Sequence, residues 1–148
     1  MSAFAAGAVI AVGSDHAAVA LRLAVVDRLK AMGFDVRDLG PDGGESVDYP
    51  DCAQPVVAAI ETGEAAGGVL LCGSGVGISI AANRSRAIRA ALCGDVTTAR
   101  LSRAHNDANV LAMGARVTGA GVALDCVDAF FTEAFEGGRH ARRVAKMS

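Results

Sequence analysis

The chain has 148 residues, 52% of them apolar and 20% charged, with three prolines. That length fits one domain with a substantial core, and the composition excludes disorder. A formal net charge of −2 gives no electrostatic reason to expect nucleic acid or an acidic membrane as partner, and no apolar run approaches the length of a membrane span. Residues 1–12 are apolar but lack the basic start of a signal peptide, and Gly13-Ser14-Asp15-His16 interrupts them. Ala8 to Gly13 therefore reads as a first strand. Ala18 to Met32 reads as a helix ending at Gly33, and Asp35 to Leu39 as a second strand. The stretch GPDGGESVDYP, residues 40–50, is a long loop dense in turn residues, of the kind that often carries function. Asp51 caps a helix through Thr62, and the apolar run from Gly67 to Leu71 is a third, buried strand. Cys72 and three alternate glycines, Gly73, Gly75 and Gly77, follow, and Val76 to Asn83 is helix-compatible. Ile88 to Cys93 is strand four, Asp95 caps a helix to about Arg103, and Val110 to Met113 is strand five. Thr118 starts a helix to about Thr132, and a basic tail covers residues 137–146. Strand and helix alternate throughout, the signature of an α/β fold with a mostly parallel sheet.

In such a sheet, ligands bind beyond the carboxyl ends of the strands. Asp15 and His16 follow strand one, Asp48 and Tyr49 lie in the loop after strand two, Cys72 and Ser74 follow strand three, and Arg116 follows strand five. His105, Asn106 and Asn109 fall instead between a helix and strand five, the opposite side by simple topology. The loop after Cys72 places free amides at a helix N-terminus, which binds anions and favours a thiolate over a thiol. The same residues also describe a tight strand-to-helix turn. Their G-x-G-x-G spacing is not the G-x-G-x-x-G of a dinucleotide site, and the Gly-Lys-Ser/Thr of a phosphate P-loop is absent. Cys52, Cys93 and Cys126 lie in apolar patterns and read as core. With no CxxC and no histidine at metal spacing, the chain offers no metal site, and its cysteines read as reduced in a cytoplasmic compartment. All three histidines, in Asp15-His16, His105-Asn106-Asp107 and Arg139-His140, fall in polar segments, as proton-transfer groups or as structural ones. Twelve of the 14 basic residues are arginine, which suits bidentate recognition of phosphate or carboxylate. Arg139, Arg142, Arg143 and Lys146 share one helical face, either a solvated cationic helix end or a phosphate clamp able to reach a neighbouring subunit.

Taken in order, several segments resemble the type B ribose-5-phosphate isomerases. They are Gly13-Ser14-Asp15-His16-Ala17, Asp48-Tyr49-Pro50, CGSGVGISIAAN from Cys72, Ile88-Arg89-Ala90-Ala91, HNDANVLAMGAR from His105, and FEGGRHARR from Phe135. The resemblance implies a Rossmann-like, three-layer α/β/α sandwich with a five-stranded parallel sheet over residues 1–148. It implies a basic arm from about residue 137 reaching a partner subunit, in a homodimer or tetramer with shared active sites. A small-molecule sugar phosphate is the implied substrate, without metal or cofactor. By position, Cys72 is the base that moves a proton between C2 and C1 through a cis-enediolate. Ser74 and the amides of Gly73, Gly75, Val76 and Gly77 hold the oxyanion. His105 opens the furanose ring, while Asp15 and Asn106 bind sugar hydroxyls. His16 and Arg116, with Arg139 and Arg143 from the other subunit, bind phosphate, and Asp48 and Tyr49 line the pocket. One branch of the family has a glutamate base where this chain has Ile78, which leaves Cys72 for the role. The same chemistry serves relatives acting on four-carbon sugar phosphates or on allose or galactose 6-phosphate. A non-catalytic phosphosugar-binding module is the alternative from a different class.

Overall fold

The structure, a computed structural model, describes residues 4–148. Strands β1 (Val9–Ser14), β2 (Asp35–Asp38), β3 (Gly67–Cys72), β4 (Ala90–Leu92) and β5 (Val110–Gly114) form one sheet in the order β2-β1-β3-β5-β4. Every neighbouring pair is parallel. Parallel strands need crossovers, here α1 (Val19–Ala31), α2 (Tyr49–Glu61), α3 (Val76–Ala82) and α4 (Val96–Asn106). After β5 come α5 (Ala120–Thr132) and α6 (Arg139–Met147).

Helices on both faces explain why GGVLLC and VLAMG are buried along their whole length. Side chains alternate across each strand. Val69 and Leu71 join Ile10, Val12 and Leu111 beneath Val25 and Leu29 of α1 and Val127 and Phe130 of α5. Leu70 and Cys72 point the other way, among Val56 and Val57 of α2 and Ile78 and Ala82 of α3. The result is the three-layer sandwich with five parallel strands. The chain leaves β1 toward β2 on one side and later fills β3 on the other. The carboxyl ends of β1 and β3 thus flank the switch point where open α/β sheets take their ligands.

Where element ends differ from the sequence reading, the causes are local. α2 begins at Tyr49, with Asp48 as the N-cap residue and Pro50 at the helix start. Proline's fixed φ suits that first turn, so Asp51 lies inside the helix rather than capping it. Asp95 does cap α4, accepting the Thr98 amide at 2.7 Å. That helix continues to Asn106 and stops only where Asp107 turns left-handed at φ 46°. β4 starts at Ala90 because the Arg89 N–H is taken by the Asn109 side chain, at 2.8 Å, instead of by a ladder partner. α5 starts at Ala120 because the Thr118 N–H closes a turn onto the Gly114 carbonyl at 2.9 Å. Among the described residues, no helix is long and apolar enough to cross a membrane.

Candidate active site

Cys72 ends β3 with 3% of its surface exposed, and its Sγ accepts the Gly75 N–H at 3.1 Å. The amide reaches back because Gly75 sits at φ +79°, a conformation glycine adopts without penalty. A Cβ at that position would lie 2.6 Å from Leu92 Cδ1 and 2.7 Å from the Met113 carbonyl carbon. The loop is also fastened to the end of β5. Ala115 N–H donates to the Cys72 carbonyl and Arg116 N–H to that of Gly73, both at 2.9 Å. Gly114 packs so closely on this loop that a Cβ there would sit 2.4 Å from the Ser74 carbonyl carbon. Gly114→Ala is therefore expected to cost about 1–3 kcal/mol, read from urea unfolding, because backbone must move to admit the methyl. The displaced Ser74 should lower turnover in the same variant.

Ser74 is exposed, and its Oγ accepts the Val76 N–H at 3.2 Å. Of the four loop amides singled out in the sequence, Gly75 and Val76 are thus engaged by Sγ and Oγ. Gly73 and Gly77 take no part in those bonds. The Arg116 side chain lies over Gly73, where a Cβ would meet Arg116 Cδ at 3.4 Å. The Tyr49 ring covers Gly77, where a Cβ would lie 2.6 Å from Tyr49 Cζ. Across the switch point, Asp15 is buried and accepts the Ala17 N–H at 2.9 Å. His16 Nδ1 accepts the Val47 N–H at 3.1 Å, which leaves Nε2 as the nitrogen able to donate outward. Asp48 is exposed on the same loop. Buried Arg22 holds that loop in place, with Nη1 donating to Ser14 Oγ at 3.0 Å and to the Pro41 carbonyl. Its Nε lies 2.9 Å from the Asp38 carboxylate. A depression of about 440 Å³ lined by Gly40, Pro41, Val47, Asp48 and Cys52 opens beside this cluster rather than over Cys72. One chain therefore gathers Asp15, His16, Asp48, Tyr49, the loop from Cys72 to Gly77, and Arg116.

The other thiols sit in different surroundings. Burial pushes Cys93 up to about 12 and raises Cys126 and Cys52 as well, so none of the three is poised to ionise. Cys52 is only half-buried and lines the depression, so it is less a core residue than its apolar sequence context suggested.

His105 and Asn106 form a second cluster. β3 and β5 run in register, Gly68 opposite Val110 and Cys72 opposite Gly114. Their four-residue span separates the two ends of the sheet by about 13 Å. His105 and Asn106 close α4 at the amino end, so a single chain does not bring them to Cys72. Arg89 fastens that helix end, donating to the Asn106 carbonyl at 3.1 Å and the Asp107 carbonyl at 2.8 Å. α6 folds back against it. The Glu136 N–H donates to the Ala104 carbonyl at 3.0 Å, and the His140 ring stacks on His105 with centroids 4.2 Å apart. Glu136 Oε2 lies 3.8 Å from His105 Nε2 and 3.5 Å from His140 Nε2. Burial first, then His105 and Arg139, lowers the His140 pKa against the pull of Glu136. Arg139 and Arg143 are exposed on α6 at this end. Glu136 gave no signal in the sequence, because only the fold-back of α6 brings it to His105.

The Ribose/Galactose Isomerase family model matches residues 10–147. Ribose-5-phosphate isomerase B of Escherichia coli is 48% identical over 135 residues, covering 91% of each chain. D-erythrulose-4-phosphate isomerase of Pectobacterium atrosepticum is 42% identical, over 93% of this chain and 91% of that protein. The solved structure of Clostridium thermocellum ribose-5-phosphate isomerase B matches with a TM-score of 0.92 at 50% identity, covering 94% of both chains. The chain belongs to the Ribose/Galactose Isomerase family.

Proposed function

We propose that this protein interconverts D-ribose 5-phosphate and D-ribulose 5-phosphate through a cis-enediolate, with Cys72 as the base. One observation carries the reading: a buried Sγ at the switch point accepts a backbone N–H at 3.1 Å, a contact a thiolate accepts better than a thiol. In the open-chain aldose, the Cys72 thiolate takes the C2 proton while the electron pair moves onto the carbonyl oxygen. Return of that proton to C1, with the O2 hydroxyl proton passing to O1, completes the ketose. Ser74 and the amides of Gly73 and Gly77 hold the developing oxyanion, and preorganised donors of that kind contribute ~3 kcal/mol each. Asp15 binds a sugar hydroxyl, Asp48 and Tyr49 line the pocket, and His16 and Arg116 bind phosphate.

The remaining groups come from a second copy. A two-fold dimer places the amino-end cluster of one chain over the carboxyl-end cluster of the other, and does so twice. Val76, Ile80, Leu92 and Val117 leave apolar surface exposed around the Cys72 loop, as a subunit contact requires. In that arrangement His105 of the partner subunit moves the proton that opens the furanose, and its neighbour Asn106 binds a hydroxyl. Arg139 and Arg143 on the arm complete the phosphate site. The free cysteines suit a reducing, cytoplasmic compartment.

A second reading keeps the chemistry and changes the sugar to a four-carbon phosphate, which the Pectobacterium relative favours. Proton NMR of ribose 5-phosphate in D₂O, with chelator present, tests both. Ketose formation with deuterium entering the isomerising carbon is the expected result. Turnover of erythrulose 4-phosphate alone would move the substrate. Exchange on no sugar phosphate would leave a binding module.

A further inference from the structure

Arg22 is fully buried while its neighbour Leu23 is half exposed, the reverse of where a charge and an apolar side chain settle on a helix. Desolvating a guanidinium costs about what its ion pairs return, so stability alone is a weak reason for it. Its contacts join three segments. Nη1 donates to Ser14 Oγ at the end of β1, at 3.0 Å, and to the Pro41 carbonyl in the loop after β2. Nε lies 2.9 Å from Asp38 Oδ1 at the end of β2, an ion contact rather than an aligned hydrogen bond. The same Asp38 oxygen accepts the Gly40 N–H at 3.1 Å, and the Gly40 carbonyl accepts the Ser14 N–H at 3.1 Å.

Both supports of His16 start from this junction. On one side Ser14 leads into Asp15, whose N–H is tied to the Leu71 carbonyl at 3.1 Å, and then into His16. On the other side the loop runs from Pro41 to Val47, whose N–H donates to His16 Nδ1 at 3.1 Å. That bond fixes ring orientation and tautomer together, because an accepting Nδ1 leaves the proton on Nε2. A guanidinium suits the junction, since its planar fork meets Ser14, Pro41 and Asp38 at once where an ammonium is a single point charge. Arg22 gave no signal in the sequence, because the partners of Nη1 lie eight and 19 positions away. We propose that Arg22 is a positioning residue: by joining Ser14 to the loop from Pro41 to Val47, it holds the His16 imidazole as the Nε2–H tautomer for phosphate. The phosphate half rests on the role given to His16 above, whereas the fixed tautomer does not.

The test compares the wild type with Arg22→Met, which keeps the length of the side chain and removes its charge and donors. ¹⁵N NMR of the neutral imidazoles, with His16 assigned by its loss in His16→Gln, should show one Nε2–H tautomer in the wild type. Arg22→Met should mix in the Nδ1–H form at His16 and leave His105 and His140, at the other end of the sheet, unchanged. Calorimetry with inorganic phosphate should show affinity weakened by the ~10-fold that one hydrogen bond to a charged group is worth. On ribose 5-phosphate KM should rise with kcat unchanged, the mark of lost binding rather than lost chemistry. Val47→Pro, which deletes the amide that Nδ1 accepts, should reproduce these effects, and adding Arg22→Met to it should weaken phosphate no further. Arg22→Lys, which keeps the charge and a donor, should recover part of the affinity. Should Arg22→Met fail to fold, Ser14→Ala decides the matter by the same readouts, since it removes one oxygen and cuts Arg22 from the β1 side. A folded Arg22→Met with a single Nε2–H tautomer overturns the proposal, and so does a fall in kcat at unchanged KM. Mixed tautomers with phosphate affinity intact overturn the phosphate half. A wild type that binds phosphate but turns over no sugar phosphate overturns the isomerase reading and leaves the positioning role standing.

Discussion

Cys72→Ala is expected to lose ~10²–10⁴-fold in kcat in both directions, with KM little changed, because a positioned proton-transfer group contributes that much. Sγ is the only atom the change removes, and Cys72 is packed at the end of β3, so the fold should survive. The lost sulfur leaves a small void rather than an exposed core, at a cost of about 1 kcal/mol or less. Cys72→Ser sharpens the argument. A hydroxyl can still accept the Gly75 N–H that Sγ accepts at 3.1 Å, so the loop keeps its shape. The hydroxyl is nevertheless a far weaker acid than a thiol, and little alkoxide forms at neutral pH. Serine should therefore be nearly as inactive as alanine while binding substrate as well as the wild type. Steady-state rates and deuterium exchange on ribulose 5-phosphate check this. Retention of activity within ~10-fold in either variant would take the base away from the sulfur.

Much of the placement of these residues is legible in the chain because it is carried by local patterns. The apolar runs at 67–71 and 110–113 separated by helical stretches give parallel strands. A residue at the end of such a strand is then placed by topology alone, as Asp15, Cys72 and Arg116 are. What the chain hides depends on contacts between distant segments. Gly114 looks like an ordinary strand end until Ser74 is packed on it. The amides of Gly75 and Val76 look available to a substrate oxyanion until Sγ and Ser74 Oγ accept them. Glu136 has no partner in the sequence, because it needs α6 to return along α4. His105 is the sharpest case. Its position before strand five points to the amino end of the sheet, and the structure leaves it there, opposite the cysteine it is meant to serve.

That separation sets the second large effect: two inactive variants should restore one another. On the proposed roles, Cys72→Ala lacks the base but keeps His105, and His105→Ala lacks the ring-opening group but keeps Cys72. If a site draws the two groups from different chains, a mixed dimer holds one site missing both groups and one site that is whole. Dimers carrying one copy of each variant, isolated through two different affinity tags, should show about half the wild-type rate on ribose 5-phosphate. Each variant alone should fall by ~10²-fold or more on that substrate. A site confined to one chain makes the opposite forecast, because each half of the mixed dimer would then lack one group and no activity would return. Substrate choice separates this from a mere folding rescue. His105→Ala alone should still exchange the C1 proton of acyclic ribulose 5-phosphate, since only the furanose needs opening. Recovery confined to ribose 5-phosphate therefore assigns the restored function to His105 acting across the interface. The register of β3 on β5 is the reason to expect this, since the two ends of those paired strands lie about 13 Å apart within a chain.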